Sequence, residues 1–194
     1  MRLYRPGLYL FLLIFIATLV FACASKEVGE MGERETEKMG EVERVEVKSV
    51  FGNMERIPVD YTCDGADISP PLTIEGISGQ AVSIAIIMDD PDAPIGTFTH
   101  WVAWDIPPVN RIPENIPKEK TVTQPLKILQ AKNDFGRYGY GGPCPPKGKP
   151  HRYFFKVYVL NTTLGEDIKS KNDLIKAMEG HVIQYGELIG LYGR

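Results

Sequence analysis

Hydrophobic and polar positions alternate in short bursts along most of the chain. Val45 to Phe51 is apolar and polar by turns, as a strand with one wet face should be. Leu72 to Ile74 is a brief strand, and Ala81 to Met88 is an apolar run rich in β-branched residues that reads as a strand buried on both faces. His100 to Ile106 is a further strand, ended by Pro107 and Pro108, which cannot donate to a ladder. Tyr153 to Leu160 and Glu187 to Tyr192 complete the set. Between Lys169 and Gly180 the period lengthens: Leu174, Ile175, Ala177 and Met178 follow a capping Ser170 and precede a Gly stop, which predicts one helix. About seven strands joined by Gly and Pro turns predict a mostly β domain, a sandwich or barrel, rather than alternating βαβ units.

The amino end has a different texture. Arg2 and Arg5 precede an uncharged apolar run from Gly7 to Ala22 that stops at Cys23, the layout of a secretory signal. It is short for a membrane span, which needs about 20 apolar residues. Val20-Phe21-Ala22-Cys23 resembles a lipobox, in which the Cys is lipidated and becomes the new amino terminus. Residues 1–23 are therefore read as a signal peptide. The next stretch, 24–44, holds seven Glu and four Lys or Arg and no aromatic residue. It buries too little apolar surface to offset its ordering entropy and is read as a charged, flexible tether. Residues 45–194 form the domain. Lipidated or anchored by an uncleaved signal, the protein is expected outside the cytoplasm, attached to the cell membrane. With a net charge of -3 and no basic stripe, nucleic acid is not an expected partner.

Chemistry concentrates in two stretches. Period-two alternation places His100 with Val102, Trp104 and Ile106 on an apolar face, and His151 with Tyr153, Phe155, Val157 and Val159 on another. Each His begins a strand. The acidic loop Asp89 to Pro94 follows the buried strand and precedes His100, and a Gly- and Pro-rich segment, Gly136 to Pro150, precedes His151. Two imidazoles, a phenol and nearby carboxylates at strand mouths form a small polar pocket at the rim of a core, if the strands lie together. No closely spaced His pair supports a metal site. Ser69 and Ser83 lack a nucleophile-elbow context, so no catalytic residue and no cofactor is expected. Cys63 and Cys144 lie in loop-like contexts, and their spacing leaves open whether they form a disulfide.

Asp90-Pro91-Asp92-Ala93-Pro94 with Gly96 and His100-Trp101, together with Gly142-Pro143-Cys144-Pro145-Pro146 and His151-Arg152-Tyr153, resemble the two signature motifs of the phosphatidylethanolamine-binding protein family, which includes the Raf kinase inhibitor proteins. Tyr61-Thr62-Cys63-Asp64-Gly65, Ser69-Pro70-Pro71 and Asn133-Asp134-Phe135-Gly136 are similar to its bacterial and archaeal branch. The resemblance implies an antiparallel β-sandwich with one or two short helices near the carboxyl terminus and a small anion-accepting surface pocket. It places Asp90, Asp92, His100, His151 and Tyr153 in that pocket, with Pro145 or Pro146 as a wall. Protonated His and Tyr hydroxyl donate to phosphate oxygens. Asp90 accepts from an ammonium group, or holds His100 or His151 in one tautomer. The expected ligand is phosphate or a phospholipid head group such as phosphoethanolamine. An inhibitor or modulator of a protein partner, a protease before a kinase, is the alternative that the resemblance also allows.

Overall fold

A computed structural model describes residues 42–194. The expected signal and lipobox, with Cys23, lie outside the described residues, as does all of the expected tether except its last three positions.

The described residues are mostly β with one α-helix, in two sheets, neither closed on itself. Numbered in chain order, the strands are β1 (Glu43–Arg44), β2 (Glu46–Lys48), β3 (Glu55–Arg56), β4 (Leu72–Glu75), β5 (Ser83–Asp90), β6 (Phe98–Ile106), β7 (Arg111–Ile112), β8 (Thr121–Val122), β9 (Ile128–Gln130), β10 (His151–Leu160) and β11 (Val182–Tyr192). The helix, α1, is Lys171–Met178. The large sheet runs β1-β11-β10-β5-β6-β9-β8, with β3 also paired to β11, and the small one runs β2-β4-β7. The long strands pair antiparallel, but β1 and β3 lie parallel to β11. Purely antiparallel pairing is thus corrected at one edge. There the amino end of the domain returns beside its last strand, and pairs of two residues need no crossover unit.

β5 is buried along its whole length, as its β-branched run requires. Ile84, Ile86 and Met88 face a core shared with Val47, Leu72, Ile74 and Ile112 of the small sheet, while Ala85 and Ile87 face Leu174 and Met178 of α1. The helix forms where the pattern places it. The Ser170 side chain accepts from the Asp173 amide at 3.2 Å as N-cap, and Gly180 takes a positive φ of 76° just past the end.

Two expectations about strands are revised. β5 continues through Asp89 and Asp90 instead of stopping at Met88, because the Asp89 carboxylate is neutralised inside the fold: Lys171 donates to it at 2.9 Å, Thr99 at 3.1 Å, and Lys156 lies at 3.6 Å. The period-two reading of β6 also fails, at two bulges. Against β5, Met88 pairs with Trp101 and Asp89 with Thr99, which leaves His100 as the extra residue. A second irregularity falls near Asp105, which has φ of 53°. Val102 and Trp104 therefore face α1, whereas Trp101, Ala103 and Ile106 face the small sheet. His100 does not share a face with Val102 and Trp104; the bulge turns its ring to the side of Tyr153.

Candidate functional site

The site arises from strand order. β6 and β10 both flank β5 antiparallel, so the carboxyl end of β5 meets the amino ends of its two neighbours. Asp90, Phe98, His100, His151 and Tyr153 thereby converge on one cavity of about 250 Å³. Pro94 and Ile95 of the β5–β6 turn, Phe135, and the Cys144-Pro145-Pro146 run complete its wall.

His151 sits at the first position of β10, and its Nδ1 lies 2.8 Å from Asp90 Oδ2. A carboxylate accepts, so Nδ1 carries the proton. The other Asp90 oxygen accepts from the Asp92 amide at 2.8 Å. Asp90 thus has both oxygens engaged, and it orients His151. His100 is held differently: its Nδ1 is 2.7 Å from the Gly141 carbonyl, which can only accept, so this ring too is protonated on Nδ1. The Gly141 amide in turn donates to the His100 carbonyl at 2.9 Å. Burial holds the His100 imidazole below its ordinary pKa; the Gly141 carbonyl and the carboxylates of Asp90, Asp89 and Asp134 pull the other way without overcoming it. A neutral His100 with its proton on Nδ1 leaves Nε2 as a bare acceptor on the edge away from Gly141. The ring packs edge-on to Phe98, Phe135 and Tyr153, with centroids at 5.1, 5.3 and 5.2 Å.

Tyr153 is wholly buried, and its hydroxyl has no hydrogen-bond partner in bonding geometry among the described residues. Burial first, and then the nearby Asp90 carboxylate, push its phenol pKa far up, so it stays a donor.

Of the expected pocket residues, Asp90, His100, Pro145, Pro146, His151 and Tyr153 line the cavity, both prolines serving as wall. Asp92 does not. It is clamped by Arg152, whose Nε and Nη2 donate to its two oxygens at 2.8 and 2.7 Å and whose amide donates at 2.9 Å. The Arg152 side chain holds the Asp92 carboxyl below its usual range. Asp92 fastens the β5–β6 turn to the start of β10, because alternation turns Arg152 away from the cavity that its neighbours face. Of the two imidazoles that Asp90 was expected to hold, it pairs with His151, and His100 pairs with the Gly141 carbonyl instead.

Cys63 and Cys144 are bonded, with Cα atoms 5.4 Å apart. The bridge ties the loop before β4 to the cavity wall, and the Cys63 amide donates to the Pro143 carbonyl at 3.1 Å. A side chain at Gly142 would put its Cβ 2.7 Å from the Tyr61 carbonyl oxygen and 2.8 Å from Thr62 Cα, so only Gly allows the two loops to touch.

Sequence reasoning left out Phe98 and Phe135. Phe98 lies two residues before the start of the expected strand, and Phe135 reaches the cavity through a turn built by Asn133, whose Oδ1 accepts from the amides of Phe135 and Arg137 at 3.0 and 3.3 Å. Asn133 begins the quoted Asn-Asp-Phe-Gly motif, which carried this signal.

Fold and site together define a mostly β protein with a rim cavity that mixes imidazole, phenol and carboxylate. The family profile for phosphatidylethanolamine-binding protein matches residues 47–193, and the chain belongs to that family. A UPF0098 protein of Pyrococcus abyssi is 61% identical over 157 residues, covering 80% of this chain and 88% of the relative. One from Pyrococcus horikoshii is 58% identical over 183 residues, covering 93% and 88%. Among solved structures, a phosphatidylethanolamine-binding protein homologue of Chlamydia trachomatis superposes with a TM-score of 0.70 at 33% identity, covering 78% of this chain and 98% of that one. YbcL of E. coli, a member of the mammalian family, gives 0.68 at 32%, covering 78% and 99%.

Proposed function

We propose that this is a non-enzymatic binding protein whose rim cavity takes phosphate or a phosphorylated head group such as phosphoethanolamine. The observation that carries the reading is the buried, unpartnered Tyr153 hydroxyl at the cavity wall, beside two imidazoles fixed in known tautomers. A buried donor without an acceptor costs free energy, and an oxyanion in the cavity would satisfy it. The two sheets sharing one apolar core are read as the layers of a β-sandwich. The chain is taken to act outside the cytoplasm, held at the membrane by a lipid on Cys23 or by its signal segment.

A ligand that binds only the folded state raises thermal stability. Millimolar phosphoethanolamine is expected to raise the melting temperature of the protein and to leave that of His151→Ala unchanged. Equal responses of the two proteins would count against the cavity as the site.

A second reading, modulation of a protein partner such as a protease, is favoured by one feature. Ile95 is 87% exposed and Phe135 37% exposed at the cavity mouth, apolar surface that a partner would cover. Protease rates that stay unaltered at excess protein, across several proteases, would remove it.

A further inference from the structure

We propose that the cavity selects oxyanions that bring a proton of their own, phosphomonoesters and hydrogen phosphate, over phosphodiesters and sulfate. The inference rests on the oxyanion reading above and specifies which oxyanions fit.

It follows from counting donors and acceptors. Asp90 already accepts one bond on each oxygen, from His151 Nδ1 and the Asp92 amide, and as a carboxylate it can only accept further protons, never donate. His100 has committed its only proton to the Gly141 carbonyl at 2.7 Å, so its Nε2 presents a lone pair. Tyr153 supplies one O–H donor that meets no acceptor in bonding geometry, although the Asp90 carboxylate lies close enough to act on it. His151 Nε2 donates only when that ring is cationic. The wall therefore holds one fixed donor, one fixed acceptor, one switchable group and one carboxylate charge. A sulfate or a diester has acceptors alone. Against His100 it meets a lone pair, and against Asp90 a like charge. A monoester monoanion accepts from Tyr153 with one oxygen and donates its P–OH to His100 Nε2 with another; its single charge meets less repulsion from Asp90 than sulfate's two, while a diester of equal charge is disfavoured by its missing P–OH alone.

The surroundings of His100 keep it an acceptor. The carboxylates acting on it are Asp89 and Asp90 from β5 and Asp134 from the loop after β9; of the titratable groups of β10, Tyr153 packs against the ring and His151 lines the same cavity, and Phe98 and Phe135 cover the rest of the ring. The three carboxylates favour a cation, and burial, which opposes them, is the larger effect.

The test is calorimetric titration of the full-length protein at pH 5 with phosphoethanolamine, glycerophosphoethanolamine and sulfate, each in two buffers of different ionisation enthalpy. The monoester, whose second pKa is about 6, is expected to bind at least roughly tenfold tighter than the diester or sulfate, a single hydrogen bond to a charged group. The diester is expected to draw up to one proton more from the buffer than the monoester, because His100 must then be protonated. Equal affinities and equal proton counts would overturn the selection and leave the oxyanion reading standing. Tighter binding of the diester would overturn it likewise. Binding of none of the three at millimolar concentration would overturn both.

Discussion

Leaving a buried hydroxyl unpartnered costs about 1–3 kcal/mol, and Tyr153 carries one at the cavity wall. Tyr153→Phe is therefore expected to raise stability by about 1 kcal/mol in denaturant unfolding while weakening phosphoethanolamine by roughly tenfold or more, the loss of one hydrogen bond to a charged group. A stability loss with binding intact would assign the hydroxyl a structural role instead. His100 makes a prediction in pH. Its folded pKa is depressed, so below the unfolded value of about 6.5 the unfolded chain takes up the proton first. Ligand-free stability should therefore fall as pH drops from neutral through the window down to the folded pKa. His100→Gln, whose amide can still donate to Gly141, should flatten that slope when melting temperature is followed between pH 7 and pH 5. Asp92 titrates in a lower window. Its carboxyl is depressed by Arg152, so the clamp is present above the unfolded pKa of about 3.9 and is lost as pH falls through the folded value. Arg152→Ala should reduce this acid sensitivity when the melting temperature is followed from about pH 5 down to about pH 2.

At the scale of elements, legibility depended on whether a strand was continuous and long enough to show its period. β10 is unbroken, and all of its inward row, from His151 through Val159, lies where alternation places it. β6 carries two bulges, each shifting the phase by one residue, and no local signal in His-Trp-Val-Ala-Trp-Asp announces them. β1, β3, β7 and β8, of two residues each, are too short to show a pattern at all. That His100 and His151 line one cavity depends on β5 lying between their strands, a matter of pairing order that periodicity does not encode. The Cys63–Cys144 bond was unreadable for a related reason, since spacing says nothing about which loops fold onto each other. The bridge closes a separation of 81 residues, for which the chain-entropy account gives about 4.5 kcal/mol. Replacing both Cys by Ala should lower unfolding stability by up to that amount and weaken ligand binding as the Pro145–Pro146 wall loosens. An unchanged denaturation midpoint would show that the loops hold without it.

For the whole molecule, family membership rests on a match from residue 47 to 193, while the proposed binding function rests on one rim cavity. Its placement outside the cytoplasm is a separate proposal, carried by the apolar run that ends at Cys23. Mass spectrometry of the mature protein is expected to find an acylated Cys23 as the first residue, and an unprocessed Met1 would contradict lipidation. The cavity is tested most directly by following the imidazole nitrogens of His100 and His151 by NMR during titration with phosphoethanolamine. Saturable shifts of both rings at millimolar ligand, with the exposed His181 unmoved, are the result expected. Unperturbed His100 and His151 signals across that range would contradict the assignment of the cavity as an oxyanion site.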